Sequence, residues 1–297
     1  MATASGSLPT LHLPFTPPFT CAAAQLSTVQ ASLAPNLASH LRFIRLAGER
    51  GVHLVVFPEL SLTGYELPRA RELAFAPAGD ARLDPLVDAC KEAGVTAVVG
   101  APVLVPSPSS AKGDAKLHIA SFIFTPDGAP PALYTKQHLD NEDPPFSPGI
   151  GGPLLHFSPS PAASSTPSSS SSSPSPDPQP PRDELIALAI CADTSRPAHP
   201  SLAASLNASL YCASSCISQR GYATDTGRLA SYAAEHGGMA VLLANHAAPT
   251  GGLESRGGSA VWDGERRVVQ GKREGREELV IVRRGGGGRW EGEVVPL

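Results

Sequence analysis

Residues 52–59, VHLVVFPE, place a carboxylate directly after an apolar run with the length of one β-strand. An apolar run of this kind is typical of a strand that is buried on both faces of its sheet. A helical pattern precedes it over 36–50 and a shorter apolar strand pattern lies over 20–26, while a helix at 81–93 and a strand at 95–99 follow. This β-α-β-α order indicates an α/β fold.

The rest of the chain predicts more strands than helices. Residues 117–124 and 132–135 are expected to form a hairpin around the turn Pro126-Asp127-Gly128. Further strands are predicted at 154–157, 185–190, 209–213, 239–244, 259–262, 267–270 and 278–284, and further helices at 201–207 and 222–236.

Two segments have compositions that predict disorder. Residues 158–182 are almost entirely Ser, Pro and Ala, and such a segment cannot bury enough apolar surface to offset its ordering entropy. It could be an interdomain linker, but an insertion in a hairpin loop fits the short strand patterns on either side better. Residues 1–18 contain no Lys or Arg and are expected to be a flexible N-terminus. We therefore predict one domain over 19–297, with a disordered insertion at about 158–182.

The bulk composition argues against several functional classes. The 297 residues carry a net charge of -4 and no basic stripe, so nucleic acid is not an expected partner. No apolar stretch approaches the roughly 20 residues that span a bilayer, so no membrane association is expected. The five cysteines are an odd number at irregular spacing, which favours free thiols and a cytoplasmic location.

Three reactive side chains lie at the ends of predicted strands, where catalytic groups gather in α/β proteins. Glu59 follows the strand in 52–57, Lys136 follows 132–135, and Cys191 follows 185–190. Each residue alone would more often be a surface or core residue. Together they supply a base, a cation and a nucleophile, which are the groups that thiol catalysis requires.

The sequences around these residues resemble the signatures of a known superfamily. Residues 57–65, FPELSLTGY, 136–139, KQHL, and 190–193, ICAD, resemble the three motifs of the nitrilase (carbon–nitrogen hydrolase) superfamily, in the family's order. Further similarity extends from residues 21–25 to 258–263. The resemblance implies a four-layer α-β-β-α sandwich with mixed sheets, and catalysis without a metal or organic cofactor.

The resemblance also implies roles for individual residues. Glu59 would be the general base, Cys191 the nucleophile and Lys136 an oxyanion stabiliser, with the backbone N–H of Ala192 as a second oxyanion donor. Many relatives add a second glutamate after the lysine motif, and Glu142 matches it best, with Asp143 and Asp140 as alternatives. The other candidate substrate-binding residues are Tyr65, His138 and Asn245.

The implied reaction is hydrolysis of a non-peptide carbon–nitrogen bond through a thioester. Ala192-Asp193 stand where nitrile-hydrolysing relatives carry an aromatic residue and a glutamate, which favours a small linear amide or carbamoyl substrate. Nitrile hydrolysis, acyl transfer and a catalytically silent scaffold remain alternatives. The resemblance also implies a homodimer or a higher homo-oligomer.

Overall fold

The computed structural model describes residues 8–106, 114–140, 145–160 and 181–297. The strands are β1 (Thr10–Phe15), β2 (Thr20–Gln25), β3 (Leu54–Val56), β4 (Thr96–Pro106), β5 (Ala115–Phe124), β6 (Ala132–Thr135), β7 (Leu154–Pro159), β8 (Glu184–Ile190), β9 (Leu210–Ser215), β10 (Ala240–Asn245), β11 (Ala260–Asp263), β12 (Arg266–Gln270), β13 (Glu278–Arg284) and β14 (Trp290–Pro296). The helices are α1 (Leu33–Glu49), α2 (Ala70–Leu73), α3 (Asp84–Ala93), α4 (Ala198–Ser205) and α5 (Tyr222–Glu235). Short 3-10 turns lie at Leu67–Arg69, Ala81–Leu83, Cys191–Ser195 and Gly286–Gly288.

The strands form two mixed sheets of seven strands each. Sheet A has the order β1-β7-β8-β9-β10-β11-β12, and sheet B has the order β14-β13-β2-β3-β4-β5-β6. In each sheet, three neighbouring strands run parallel, β8-β9-β10 in sheet A and β2-β3-β4 in sheet B. Catalytic and ligand-binding side chains are expected beyond the carboxyl ends of these parallel strands.

Three apolar clusters divide the fold into four layers. The central cluster joins the inner faces of the two sheets, for example Val56 of sheet B and Leu188 of sheet A. The second cluster packs α1 and α3 on the outer face of sheet B, and the third packs α4 and α5 on the outer face of sheet A. The predicted α-β-β-α sandwich is therefore confirmed.

Strand β3 shows why its sequence lacks polar alternation. Leu54 and Val56 face the central cluster, whereas Val55 faces the helical layer on the outside of sheet B. All three side chains are buried, as the apolar run predicted. The same division holds in β8, in which Leu188 points between the sheets and Ala189 points to the helices.

The predicted flexible N-terminus over 1–18 is wrong for the residues of β1. This strand pairs in parallel with β7 at the edge of sheet A, and Leu13 and Phe15 are buried in the central cluster. Pro14 is compatible with this position because an edge strand leaves one side without ladder hydrogen bonds. Residues 1–7 lie outside the part of the chain that the structure describes.

The strands on either side of the Ser/Pro-rich segment are neighbours. β7 and β8 pair antiparallel, with Leu155 opposite Ile186, as an insertion within a hairpin loop requires. The predicted insertion begins too early, because Ser158 and Pro159 are the last residues of β7. Residues 161–180 lie outside the described residues, so disorder in that segment stays a prediction.

Candidate active site

Glu59 lies in a tight turn directly after β3. The next residue, Leu60, adopts a left-handed backbone conformation with φ of 53°, and the Leu62 N–H donates to the Gly100 carbonyl oxygen at 3.0 Å. A Cβ on Gly100 would stand 2.5 Å from the Leu60 nitrogen and from the Pro58 oxygen. Only glycine therefore lets β4 approach the turn closely enough to hold it in this shape.

Lys136 forms a buried ion pair with Glu59. Its Nζ lies 2.8 Å from Oε1 of Glu59, and both side chains are completely buried. The lysine backbone is held on both sides, because its N–H donates to Ile119 and its carbonyl oxygen accepts from Gly149. Two charges are buried at considerable desolvation cost, and burial of such a pair is common at functional sites.

Cys191 begins the 3-10 turn that follows β8. Its φ of 42° is left-handed, a conformation that is uncommon for a residue with a side chain and is often found at catalytic turns. Burial raises the pKa of the thiol well above its usual value, and the negative charge of Glu59 raises it further. The charge of Lys136 and the backbone amide of Cys216 act in the opposite direction on this pKa. Burial and the charge of Glu59 therefore favour the neutral form of the Cys191 thiol, which lies within the field of the Glu59–Lys136 pair.

Asp193, two residues after the nucleophile, links the cysteine turn to the lysine segment. Its Oδ1 accepts from the backbone N–H of Gln137 at 3.0 Å and from that of His138 at 2.8 Å. Its Oδ2 accepts from the Tyr134 hydroxyl at 2.9 Å and from the Ile190 N–H at 3.0 Å. The sequence pattern identified an acid at this position without predicting these contacts.

The remaining predicted residues of the signature motifs occupy different environments. Ala192 is the second residue of the cysteine turn and is buried, and its N–H belongs to the peptide bond that follows Cys191. Tyr65 is buried, and its N–H donates to Thr250. The His138 side chain is about one-third exposed, and its Nδ1 lies 3.0 Å from Oδ1 of Asp193. This contact directs the imidazole of His138 toward the Asp193 carboxylate.

Asn245, another predicted substrate contact, supports the backbone of two loops. Its Oδ1 accepts from the Ile217 N–H, and its Nδ2 donates to the carbonyl oxygens of Ile217 and Gly257. Both amide N–H donors are therefore already engaged. Contact of this side chain with a substrate stays a prediction.

The predicted second acid falls in a part of the chain that the structure leaves out. Glu142 and its alternative Asp143 lie outside the described residues. The other alternative, Asp140, is exposed, and its negative charge contributes to the raised pKa of the Cys191 thiol.

Two further side chains hold the glutamate turn from sheet A. His246 Nε2 lies 2.7 Å from the backbone oxygen of Glu59, so this nitrogen carries the proton and donates. Burial lowers the pKa of His246 to about 4, which keeps the ring neutral. The Ser214 hydroxyl donates to the Phe57 oxygen at 2.6 Å. The position of His246 after a strand was a usable signal, whereas nothing in the sequence distinguished Ser214.

Neither a metal centre nor a membrane span is found among the described residues. Within them, no group of three or more His, Cys, Asp or Glu side chains could hold a metal ion. No helix in the described ranges is both long and apolar enough to cross a membrane.

Comparison with known proteins assigns the chain to one family. The carbon-nitrogen hydrolase family model matches residues 20–284, so the chain belongs to the carbon–nitrogen hydrolase family. This confirms the assignment to the nitrilase superfamily and to carbon–nitrogen hydrolases as a class of enzyme.

Solved structures of the nitrilase superfamily share the fold at low sequence identity. A mutant of the Nesterenkonia AN1 amidase has a TM-score of 0.68 and 20% identity, covering 89% of this chain and 90% of the amidase. Saccharomyces cerevisiae Nit3, of branch 10 of the superfamily, has a TM-score of 0.71 and 20% identity, with 89% of both chains covered. Another mutant of the Nesterenkonia amidase, which shows covalent addition of the acetamide moiety of fluoroacetamide at its active-site cysteine, has a TM-score of 0.68 and 21% identity, with 89% of both chains covered.

Proposed function

We propose that this enzyme hydrolyses small linear amide or carbamoyl compounds to an acid and ammonia or an amine, through a thioester on Cys191. The observation that carries the proposal is the buried Glu59–Lys136 pair at 2.8 Å, whose charges both act on the pKa of the Cys191 thiol. A thiol that is protonated at rest needs a base at the moment of attack, and a carboxylate within its field supplies one.

The first half of the proposed reaction forms the thioester. As the Cys191 sulfur attacks the carbonyl carbon, its proton passes to Glu59 and a C–S bond forms. The ammonium group of Lys136 and the backbone N–H of Ala192 stabilise the oxyanion that develops on the carbonyl oxygen. The C–N bond then breaks, and Glu59 returns the proton to the departing nitrogen.

The second half releases the acid. A water molecule gives a proton to Glu59 while its oxygen attacks the thioester carbon. The C–S bond breaks, and the proton passes from Glu59 to the sulfur, which restores the starting thiol. The cycle consumes one water for each C–N bond and uses chemistry that the three side chains supply without an external oxidant or reductant.

Two observations favour amides over other electrophiles. A mutant of the structurally similar Nesterenkonia amidase has been solved in complex with acrylamide, which is a small linear amide. Ala192 and Asp193 also differ from the aromatic and glutamate residues of the nitrile-hydrolysing relatives. Assembly as a homodimer or higher homo-oligomer belongs to the same proposal.

A hydrolysis screen tests the proposal. Small amides, carbamoyl amino acids and nitriles are incubated with the wild type, Cys191→Ala and Cys191→Ser, and acid and ammonia are quantified. Cys90→Ala is a matched control, because Cys90 is a buried thiol on α3, on the outer side of sheet B. We expect amide turnover in the wild type and in Cys90→Ala only. Turnover of nitriles alone, acyl transfer without net hydrolysis, or no turnover would favour the respective alternatives.

A further inference from the structure

The three proposed catalytic side chains come from different sheets. Glu59 and Lys136 follow strands β3 and β6 of sheet B, whereas Cys191 follows β8 of sheet A. The separation between the thiol and the charged pair therefore depends on contacts that join the two sheets near the ends of these three strands. The hydrophobic effect is non-directional, whereas a hydrogen bond fixes both the distance and the direction between two groups.

The backbone contacts that hold the glutamate turn to sheet A are separate from those that hold the lysine segment. The glutamate turn is held from sheet A by Ser214, which donates to Phe57, and by His246, which donates to Glu59. Neither contact involves the lysine segment.

The lysine segment is held from sheet A by the carboxylate of Asp193. This side chain is completely buried and receives the two consecutive N–H groups of Gln137 and His138, which directly follow Lys136. The hydroxyl of Tyr134, two residues before Lys136, donates to the other oxygen. The carboxylate thus holds the chain on both sides of the lysine.

The same carboxylate also shapes the cysteine turn. Its Oδ2 accepts from the N–H of Ile190, the residue immediately before Cys191, at 3.0 Å. This bond closes the turn in which Cys191 has its left-handed conformation. One side chain therefore contacts the immediate neighbours of both the nucleophile and the lysine.

We propose that Asp193 is a positioning residue, which sets the distance between the Cys191 thiol and the Lys136 ammonium group by joining their two backbone segments. The inference rests on the function proposed above and deepens it. Asn is a poor substitute, because its Nδ2 would face donors that require an acceptor, among them the fixed N–H of Ile190. Glu keeps the charge but moves the oxygens by one methylene, so it cannot receive the same N–H groups without displacing them.

A purely electrostatic role for Asp193 predicts the opposite change in the thiol. Removal of a nearby negative charge alone would lower the pKa of Cys191. Displacement of Lys136 would raise that pKa, because the lysine charge lowers it in the wild type and the glutamate turn is held separately. The direction of the shift therefore distinguishes positioning from a charge effect.

The test combines amide kinetics with alkylation of Cys191 by iodoacetamide as a function of pH. Mass spectrometry of the modified peptide distinguishes alkylation of Cys191 from alkylation of the other four cysteines, which are buried. For Asp193→Asn we expect kcat to fall about 100-fold, the loss that a displacement of about 1 Å can produce, with KM nearly unchanged. We also expect the alkylation midpoint to move to higher pH. Asp193→Glu is expected to show the same changes, although it keeps the charge.

Controls separate positioning from a loss of folding. Asp127→Asn is the matched substitution, because Asp127 also accepts a backbone N–H but lies in the exposed β5–β6 turn. It should leave kcat and the midpoint unchanged. If Asp193→Asn does not fold, Tyr134→Phe removes one donor from the same carboxylate and should lower kcat and raise the midpoint to a smaller extent.

Several outcomes would overturn the inference. They are a wild-type kcat in Asp193→Asn, a midpoint that moves to lower pH, full activity in Asp193→Glu, or an unchanged midpoint in Tyr134→Phe. Alkylation does not require turnover, so the role of Asp193 can be judged even if the wild type hydrolyses no amide. That last result would refute the proposed function, whereas amide turnover that is insensitive to Asp193 would refute only this inference.

Discussion

The ion pair between Glu59 and Lys136 predicts a large and non-additive contribution to stability. The two charged atoms are 2.8 Å apart, and both side chains are completely buried. At this separation the Coulomb attraction is about 6 kcal/mol for an effective dielectric constant of about 20, and desolvation of both groups offsets much of it. We expect Glu59→Gln to lower the free energy of unfolding by about 3 kcal/mol, because the amide keeps an acceptor but loses the charge.

A double-mutant cycle measures the coupling directly. Glu59→Gln, Lys136→Met and the double variant are unfolded in urea and followed by circular dichroism. We expect the double variant to be more stable than the sum of the single losses predicts, by about 2 kcal/mol. The substitutions Lys91→Met and Glu92→Gln on the exposed side of α3 are matched controls and should be additive. Additivity of the Glu59 and Lys136 losses within about 0.5 kcal/mol would show that the two charges do not stabilise each other.

Three other predictions concern the titration and the backbone of the site. The raised pKa of Cys191 predicts slow alkylation near neutral pH. The alkylation rate should increase only when the pH exceeds the usual thiol pKa of about 8.5, and a rate that is already maximal at neutral pH would contradict this prediction. Burial lowers the pKa of His40 and His246 to about 4. The contribution of the two neutral histidines to the free energy of unfolding should be complete above about pH 6.5, the pKa of histidine in the unfolded chain. As the pH falls toward 4, the unfolded chain is protonated first, so the free energy of unfolding should drop by about 3 kcal/mol for each histidine. Urea unfolding across this range measures the loss, and a constant stability would argue against it. Gly100→Ala would place a Cβ 2.5 Å from backbone atoms of the turn that holds Glu59. We expect at least about 1 kcal/mol of destabilisation and loss of amide turnover, and wild-type kinetics would disprove the required close approach.

The sequence was most informative where local pattern and burial coincide. β3 and β8, which precede Glu59 and Cys191, are almost entirely buried, and the last two residues of β6 before Lys136 are buried as well, so the apolar runs ended at visible boundaries. The reactive residue stood at the boundary in each case. Prediction of the fold class and of the three strand ends therefore required only local information and the order of the motifs.

The structure added features that depend on contacts between distant segments. β1 was missed because its pairing partner β7 begins at Leu154, and its short alternating pattern lies in a Ser/Pro/Thr-rich N-terminus. β14 was missed because most of its side chains are exposed at the edge of sheet B. The role of Asp193 was equally hidden, because its partners come from a segment that precedes it by more than 50 residues.

Trapping the acyl-enzyme on Cys191 tests directly whether this cysteine is the nucleophile. The enzyme is mixed with a small amide, quenched in acid within the first turnovers and digested, and the peptide that contains Cys191 is examined by mass spectrometry. We expect an added acyl mass on this peptide in the wild type, none in Cys191→Ala, and no amide turnover in that variant. Full turnover by Cys191→Ala, or an acyl group found on another residue, would contradict it.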